Sequence, residues 1–280
     1  MMMVGPRRWR TIRERMLDAL TYAIVFLFLC PIFWLVSTAF KTRSQAFAMP
    51  PVWVFRPTLE NFRAALDETG FLHQYKNSII VAASTTIITL LLGVPAAYAL
   101  TRFQFRGKRP LAFFILTTRL LPFIGMLFPL YIIYRDLHLL DTYRGLIILH
   151  VTFALVVVIW MMRGYFMQVP IDLEEAALCD GATRLGALAR IVVPLAAPGM
   201  AAVSVFTFII SWNEFLFALM FTRNNVKTAP VALVGFMSFE GINWGPLAAA
   251  GLMVLAPVFL FSLFVLKYLV AGLSMGAVKD

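Results

Sequence analysis

Six long apolar stretches separated by shorter polar or basic segments set the pattern of this chain: residues 19–40, 78–100, 111–134, 145–166, 199–220 and 247–270. A helix needs roughly 20 mostly apolar residues to cross the hydrocarbon core of a bilayer, and each stretch reaches that length. Backbone polar groups in lipid are satisfied only within helices or closed barrels, and these stretches are too long and continuous for barrel strands. The pattern predicts an all-α membrane protein with six transmembrane helices, a multi-pass protein of the cell membrane forming one domain over residues 1–280.

Composition agrees. The chain is 61% hydrophobic and 14% charged, too little charge to cover the surface of a soluble domain this long. Its net charge of +10 raises nucleic acid as a partner, but the basic residues sit at the ends of apolar stretches, so the partner is the bilayer and not nucleic acid. Arg7, Arg8, Arg10, Arg13 and Arg15 precede the first stretch, and Arg102, Arg106, Lys108 and Arg109 follow the second. Basic residues favour cytoplasmic segments, which predicts N-in, C-in topology. On that reading fourteen basic residues lie inside and nine outside, five of the nine in the long first outer loop, where the rule is weakest. Ala46-Phe47-Ala48 resembles a signal-peptide cleavage site, but the first apolar stretch is too long for a signal core and the site lies well past its end. Cys30 falls inside the first span and Cys179 in a cytoplasmic loop, so no disulfide is expected.

Between the spans, residues 1–18 read as a basic cytoplasmic tail, an amphipathic helix on anionic lipid. The first outer loop has Pro50-Pro51 and then a short helix from about Thr58, with Glu60 and Asn61 at its cap. Residues 222–246 form an extracytoplasmic loop rich in turn residues, among them Asn224, Asn225, Gly241, Asn243 and Gly245.

The cytoplasmic segment 167–198 is too long for a connector and too patterned for disorder. Pro170 suits a first helical position, and Asp172, Glu174 and Glu175 suit the positive end of a helix dipole. Leu173, Ala176, Ala177 and Asp180 share a face by helical spacing. Gly181 fits a left-handed C-cap. Thr183 caps a second helix with Leu185, Leu188, Ile191 and Val192 on its apolar side, Pro194 stops or kinks it, and Pro198 starts the next span. The pattern alone fits two roles: an amphipathic hairpin sealing the membrane surface, or a docking element for another protein.

The string Glu174-Glu175-Ala176-Ala177-Leu178-Cys179-Asp180-Gly181-Ala182, followed by Ile191 and Pro194, resembles the EAA loop of ATP-binding-cassette importer permeases. Ser211-Trp212-Asn213-Glu214-Phe215, Asn243-Trp244-Gly245-Pro246 and Gly272-Leu273-Ser274-Met275-Gly276-Ala277-Val278-Lys279 extend the likeness over essentially the whole chain, toward the sugar-uptake group and the second permease of maltose and glycerol-phosphate importers. Met275 departs from the small residue common there. The resemblance implies a coupling helix docked on a cytoplasmic ATPase through Glu174, Glu175, Ala176, Ala177, Asp180, Gly181, Ile191 and Pro194. It also implies a second permease forming a heterodimer with this one, two ATPase subunits that bind ATP and Mg, an extracytoplasmic sugar-binding protein contacted by Glu240, Asn243 and Trp244, and no cofactor in this chain.

Arg119 and Glu214 are the clearest ionisable residues inside spans, where such groups usually face a cavity or a partner. Trp212, Asn213, Glu214 and Phe215 combine aromatic faces with polar groups, as a sugar pathway would. They equally fit an interfacial aromatic and a structural carboxylate. An Arg119–Glu214 pair would join groups about 10 Å apart in depth. His73, His138 and His150 lack metal-ligand spacing, and no phosphate-binding G-x-x-x-x-G-K-[ST] is present. Gly272-Leu273-Ser274-Met275-Gly276 spells a nucleophile elbow, but it follows a spanning helix with no acid or histidine after it, so catalysis is not expected. A secondary transporter or channel would more often show inverted repeats and several buried ionisable groups.

Overall fold

A computed structural model describes residues 6–67, 70–238 and 241–276, with side chains from residue 14 to 263 except Ser238. In chain order the helices are α1 (Pro6–Ala39), α2 (Arg43–Ala46), α3 (Glu60–Asp67), α4 (Phe71–Arg102), α5 (Lys108–Thr117), α6 (Phe123–Asp136), α7 (Tyr143–Phe166), α8 (Ile171–Cys179), α9 (Arg184–Ala187), α10 (Val193–Leu195), α11 (Ala197–Trp212), α12 (Leu216–Phe221), α13 (Ala229–Ala232) and α14 (Trp244–Gly276). A two-residue antiparallel pair, β1 (Met237–Ser238) with β2 (Gly241–Ile242), precedes α14. The short helix after Thr58 is present: the Glu60 amide donates to Thr58 Oγ1 at 3.2 Å.

Among the described residues, four helices are apolar and long enough to cross a membrane, and two further bent pairs qualify if each is one span. The bends correct the sequence reading of continuous helices. In the third stretch α5 runs into a 3-10 turn, Thr118–Leu120, and then meets α6 at 94°. The cause is local: Leu121 precedes Pro122, whose ring disfavours helical backbone at the residue before it, and Leu121 is extended with ψ 131°. The helical segment Arg184–Leu195 meets α11 at 82°, with Pro198 opening α11. The fifth stretch is also broken, because α11 ends at Trp212 and α12 begins at Leu216. The basic tail is no separate surface helix: α1 runs unbroken from Pro6 into the first span.

The chain forms two compact units. In the unit of residues 1–69 and 236–253, residues 14–34 of α1 are exposed throughout. Its end packs through Ala39 onto Ala248 and Ala249, with Leu35, Phe40 and Phe62 around them. Asn61 Nδ2 donates to the carbonyls of Ala39 (2.9 Å) and Lys41 (2.6 Å), satisfying backbone acceptors that a helix end leaves open.

In the unit of residues 70–235 and 254–280, α4 and α7 form the central pair. They approach closely at Gly93, where an added Cβ would lie 2.6 Å from Val158 Cγ1; small residues permit such approach where packing, not water, drives association. Around this contact Val94, Ala97, Tyr98, Val158, Met162 and Phe166 form a buried core that also takes Leu188, Val192 and Ala196 from the 167–198 segment.

Candidate functional site

The 167–198 segment is built as a helix, a left-handed glycine and a second helix. Pro170 precedes α8 as its N-cap. Gly181 has φ +86°, and the amides of Gly181 and Ala182 donate to Leu178 O (3.1 Å) and Ala177 O (2.9 Å), closing the end of α8. Thr183 Oγ1 accepts from the Gly186 amide at 3.1 Å and caps α9. After one turn α9 passes into a π-turn, Leu188–Val192. Leu188 and Val192 reach the core, Ile191 is half-buried, and Leu185 is 71% exposed. The expected apolar side including Leu185 is thereby corrected: Leu188 and Val192 turn into the core, while Leu185, on the single α-turn before them, faces outward.

Glu174 is corrected as well. It does not lie on the outward face but is 1% exposed. Tyr98 Oη donates to its Oε2 at 3.0 Å, and Arg102 Nε donates to its Oε1. Arg102 Nη2 donates to Val169 O at 2.7 Å. The carboxylate therefore binds α8 to the end of α4 through a buried charge-assisted pair. The opposite face stays open: Asp172, Leu173, Glu175, Ala176, Asp180, Gly181 and Pro194 are exposed and Ala177 is half-buried.

The break between α11 and α12 explains Glu214. Its Oε1 accepts from the Phe217 amide (2.8 Å) and its Oε2 from the Ala218 amide (2.9 Å), satisfying donors at the start of α12 that lipid could not. His150 Nε2 lies 3.3 Å from Glu214 Oε2, within ion-pair reach but misaligned for a hydrogen bond, and its Nδ1 is 2.8 Å from Ser211 Oγ. Among the described residues no Arg119–Glu214 ion pair forms; Arg119 Nη1 donates to Phe153 O at 3.3 Å. Both residues nevertheless line one cavity of about 200 Å³ with Phe123, Phe153 and Phe217. Asn213 and Phe215 are exposed. Trp212 is removed from the pathway residues: it is 1% exposed, stacks on Phe208 and donates from Nε1 to Val254 O at 3.0 Å. A buried indole whose donor is used has no free group for a solute.

The segment after α12 is held by Asp141, which lies between α6 and α7 and has a left-handed backbone (φ 54°). Its carboxylate accepts from the amides of Arg223, Asn224, Asn225 and Val226 at 2.9–3.2 Å. Burial opposes the charge, but the four donors outweigh it and hold this carboxyl below the ordinary aspartate range. Asn77 Nδ2 adds bonds to the carbonyls of Asn225 (3.0 Å) and Lys227 (2.9 Å), and Ser78 Oγ accepts from the Ala229 amide. Only one sequence feature pointed to this latch, the Asn224-Asn225 turn; neither Asp141 nor Asn77 stood out as its partner. Asn243 and Trp244 are exposed after β2, while Glu240 lies outside the described residues, as do Lys279 and the side chains of Lys267 and Ser274. No group of three metal-ligating side chains occurs among the described residues.

Residues 89–274 match the family described as binding-protein-dependent transport system inner membrane component. The chain is 38% identical over 278 residues to a probable ABC transporter permease protein of Sinorhizobium fredii, covering 99% of this chain and all of the relative. It is 35% identical over 267 residues to the trehalose/maltose transport system permease protein MalG of Thermococcus litoralis, covering 94% and 95% of the two chains. Its fold matches a chain of a bacterial ABC transporter involved in the import of the acidic polysaccharide alginate, with TM-score 0.81, 25% identity and coverage of 96% and 99%. The family places it in the membrane as a transport subunit, a permease and not an enzyme. With the match spanning the 167–198 segment and both broken spans, this chain belongs to the binding-protein-dependent transport system inner membrane components.

Proposed function

We propose that this permease lets a sugar or sugar derivative into the cell, working with a second permease, two ATPase subunits that bind ATP and Mg, and an extracytoplasmic sugar-binding protein. The sugar reading follows relatives named for trehalose and maltose and a structural neighbour that imports alginate. Counting each bent pair as one span gives six spans, and the basic residues then favour both termini inside. The observation that carries the reading is the two-sided 167–198 segment. Glu174 fastens its inner side to α4, while Glu175, Ala176, Ala177, Asp180, Gly181, Ile191 and Pro194 leave a small-residue surface for an ATPase groove. ATPase closure pulls on α8, and the buried pair passes that displacement to α4. Asn213, Glu214 and Phe215 border the pathway, and Asn243, Trp244 and Glu240 face the binding protein.

Ala176→Leu tests the docking face. Ala176 is exposed, so the larger side chain leaves the permease fold intact and obstructs only the groove. Binding-protein-stimulated ATP hydrolysis and sugar uptake should both fall sharply in reconstituted vesicles, with unchanged membrane insertion. Normal stimulation and uptake would refute the assignment.

A further inference from the structure

The end of the first span holds a cation for which the described residues supply no counter-ion. Lys41 is 2% exposed. Among the described residues its ammonium makes no ion pair and no hydrogen bond; it lies 4.8 Å from the ring centre of Trp34 and 5.2 Å from that of Phe55. Ring faces attract an ammonium but do not replace its lost hydration, and buried charges in folded proteins are ordinarily paired. Lys41 lines an open groove of about 450 Å³ whose other walls are mostly apolar, including Leu35, Phe47 and Leu247. Trp34 and Trp244, both exposed, line it, and exposed Trp53 packs edge-on against Trp34; tryptophans concentrate at the headgroup level of a membrane.

We propose that this groove is a phospholipid site, in which a headgroup phosphate pairs with Lys41 Nζ and an acyl chain lies along the apolar wall. Charge and apolarity meet in one groove, at the end of a spanning helix. A free anion leaves the apolar wall wet, and an uncharged hydrocarbon leaves the ammonium unpaired. A phospholipid satisfies both.

The test uses the assembled importer, delipidated in detergent, with phosphatidylglycerol titrated and bound lipid counted by native mass spectrometry. Wild type should hold one phosphatidylglycerol that Lys41→Met binds roughly tenfold more weakly, as expected for loss of one charge-assisted contact. Lys41→Arg should retain it. Ala46→Phe, which narrows the groove and leaves Lys41 in place, should also lose it, so the test survives if Lys41→Met fails to assemble. Diacylglycerol of the same chains lacks the phosphate and inorganic phosphate lacks the chains; each should compete at least tenfold more poorly than phosphatidylglycerol. Equal binding by wild type, Lys41→Met and Ala46→Phe would overturn the proposal. So would full competition by inorganic phosphate, or carbodiimide crosslinking of Lys41 to a carboxylate of another subunit.

Discussion

Replacing Glu174 by alanine removes both oxygens that bind Tyr98 and Arg102. The Arg102 side chain is 9% exposed, so its guanidinium remains in a nearly dry site with Val169 O as its remaining partner. Deleting one member of a buried ion pair costs about 3–5 kcal/mol. Arg102 ends α4 and can bend its head toward water, which moves the figure to about 3 kcal/mol, or roughly a 150-fold rise in the detached population of α8 at 1.4 kcal/mol per decade. Hydrogen exchange over residues 171–187 in the assembled importer should accelerate by about two orders of magnitude, reading this opening directly. Stimulated ATP hydrolysis should fall while basal hydrolysis persists. The pair Glu174→Leu with Arg102→Met removes both charges and should recover most of the protection, since a matched apolar pair is close to neutral. Unchanged exchange in Glu174→Ala, or strictly additive effects in the double variant, would refute the claim that this pair fastens the loop.

Asp141→Asn should loosen the 222–226 segment by about 1 kcal/mol, at the low end for hydrogen bonds to a charged group because water reaches the site. Because the folded carboxyl titrates below its ordinary value of 3.8, its contribution is fully present above that value and is lost as pH falls through the lower folded value. The difference in melting temperature between wild type and Asp141→Asn should thus stay constant at neutral and mildly acid pH and shrink only below about pH 4; a difference already vanishing near neutrality would contradict the latch. At Gly181 an added Cβ meets nothing within 4 Å, so substitution there costs only backbone strain. Gly181→Val should lose about 1–2 kcal/mol and Gly181→Asn much less, and equal melting temperatures for the two would remove the left-handed cap from the argument.

The apolar runs were legible because lipid demands them, and the turn chemistry of 170–183 was legible because Pro170, Gly181 and Thr183 act locally. The bends were not, because both arms of a broken span remain apolar and composition cannot see the angle between them. Leu121-Pro122 did carry a local signal for the 94° break. The partners of Glu214 were hidden for a different reason. A carboxylate in an apolar run announces a need for partners without naming them, and these proved to be the amides three and four residues ahead together with His150, 64 positions earlier. Glu174 shows the same limit: an acidic residue in a first helical turn suits a helix dipole, and only the packing of α8 on α4 reveals Tyr98 and Arg102 beneath it.

The 94° break also bears on the membrane itself. The 14 residues of α6 rise about 21 Å, short of the roughly 30 Å of hydrocarbon that the 24 residues of α7 can cross unaided. In a six-span arrangement the turn at Thr118–Leu120, with the guanidinium of Arg119, therefore stands at a depth where α7 is still within the hydrocarbon. Lipid cannot hydrate such a group; within the chain Arg119 donates to Phe153 O and lines the cavity beside Glu214, and its remaining donors need water, a neighbouring subunit or a thinned bilayer. In that arrangement the thickness of the surrounding membrane becomes a variable that acts on this segment more than on its straight neighbours.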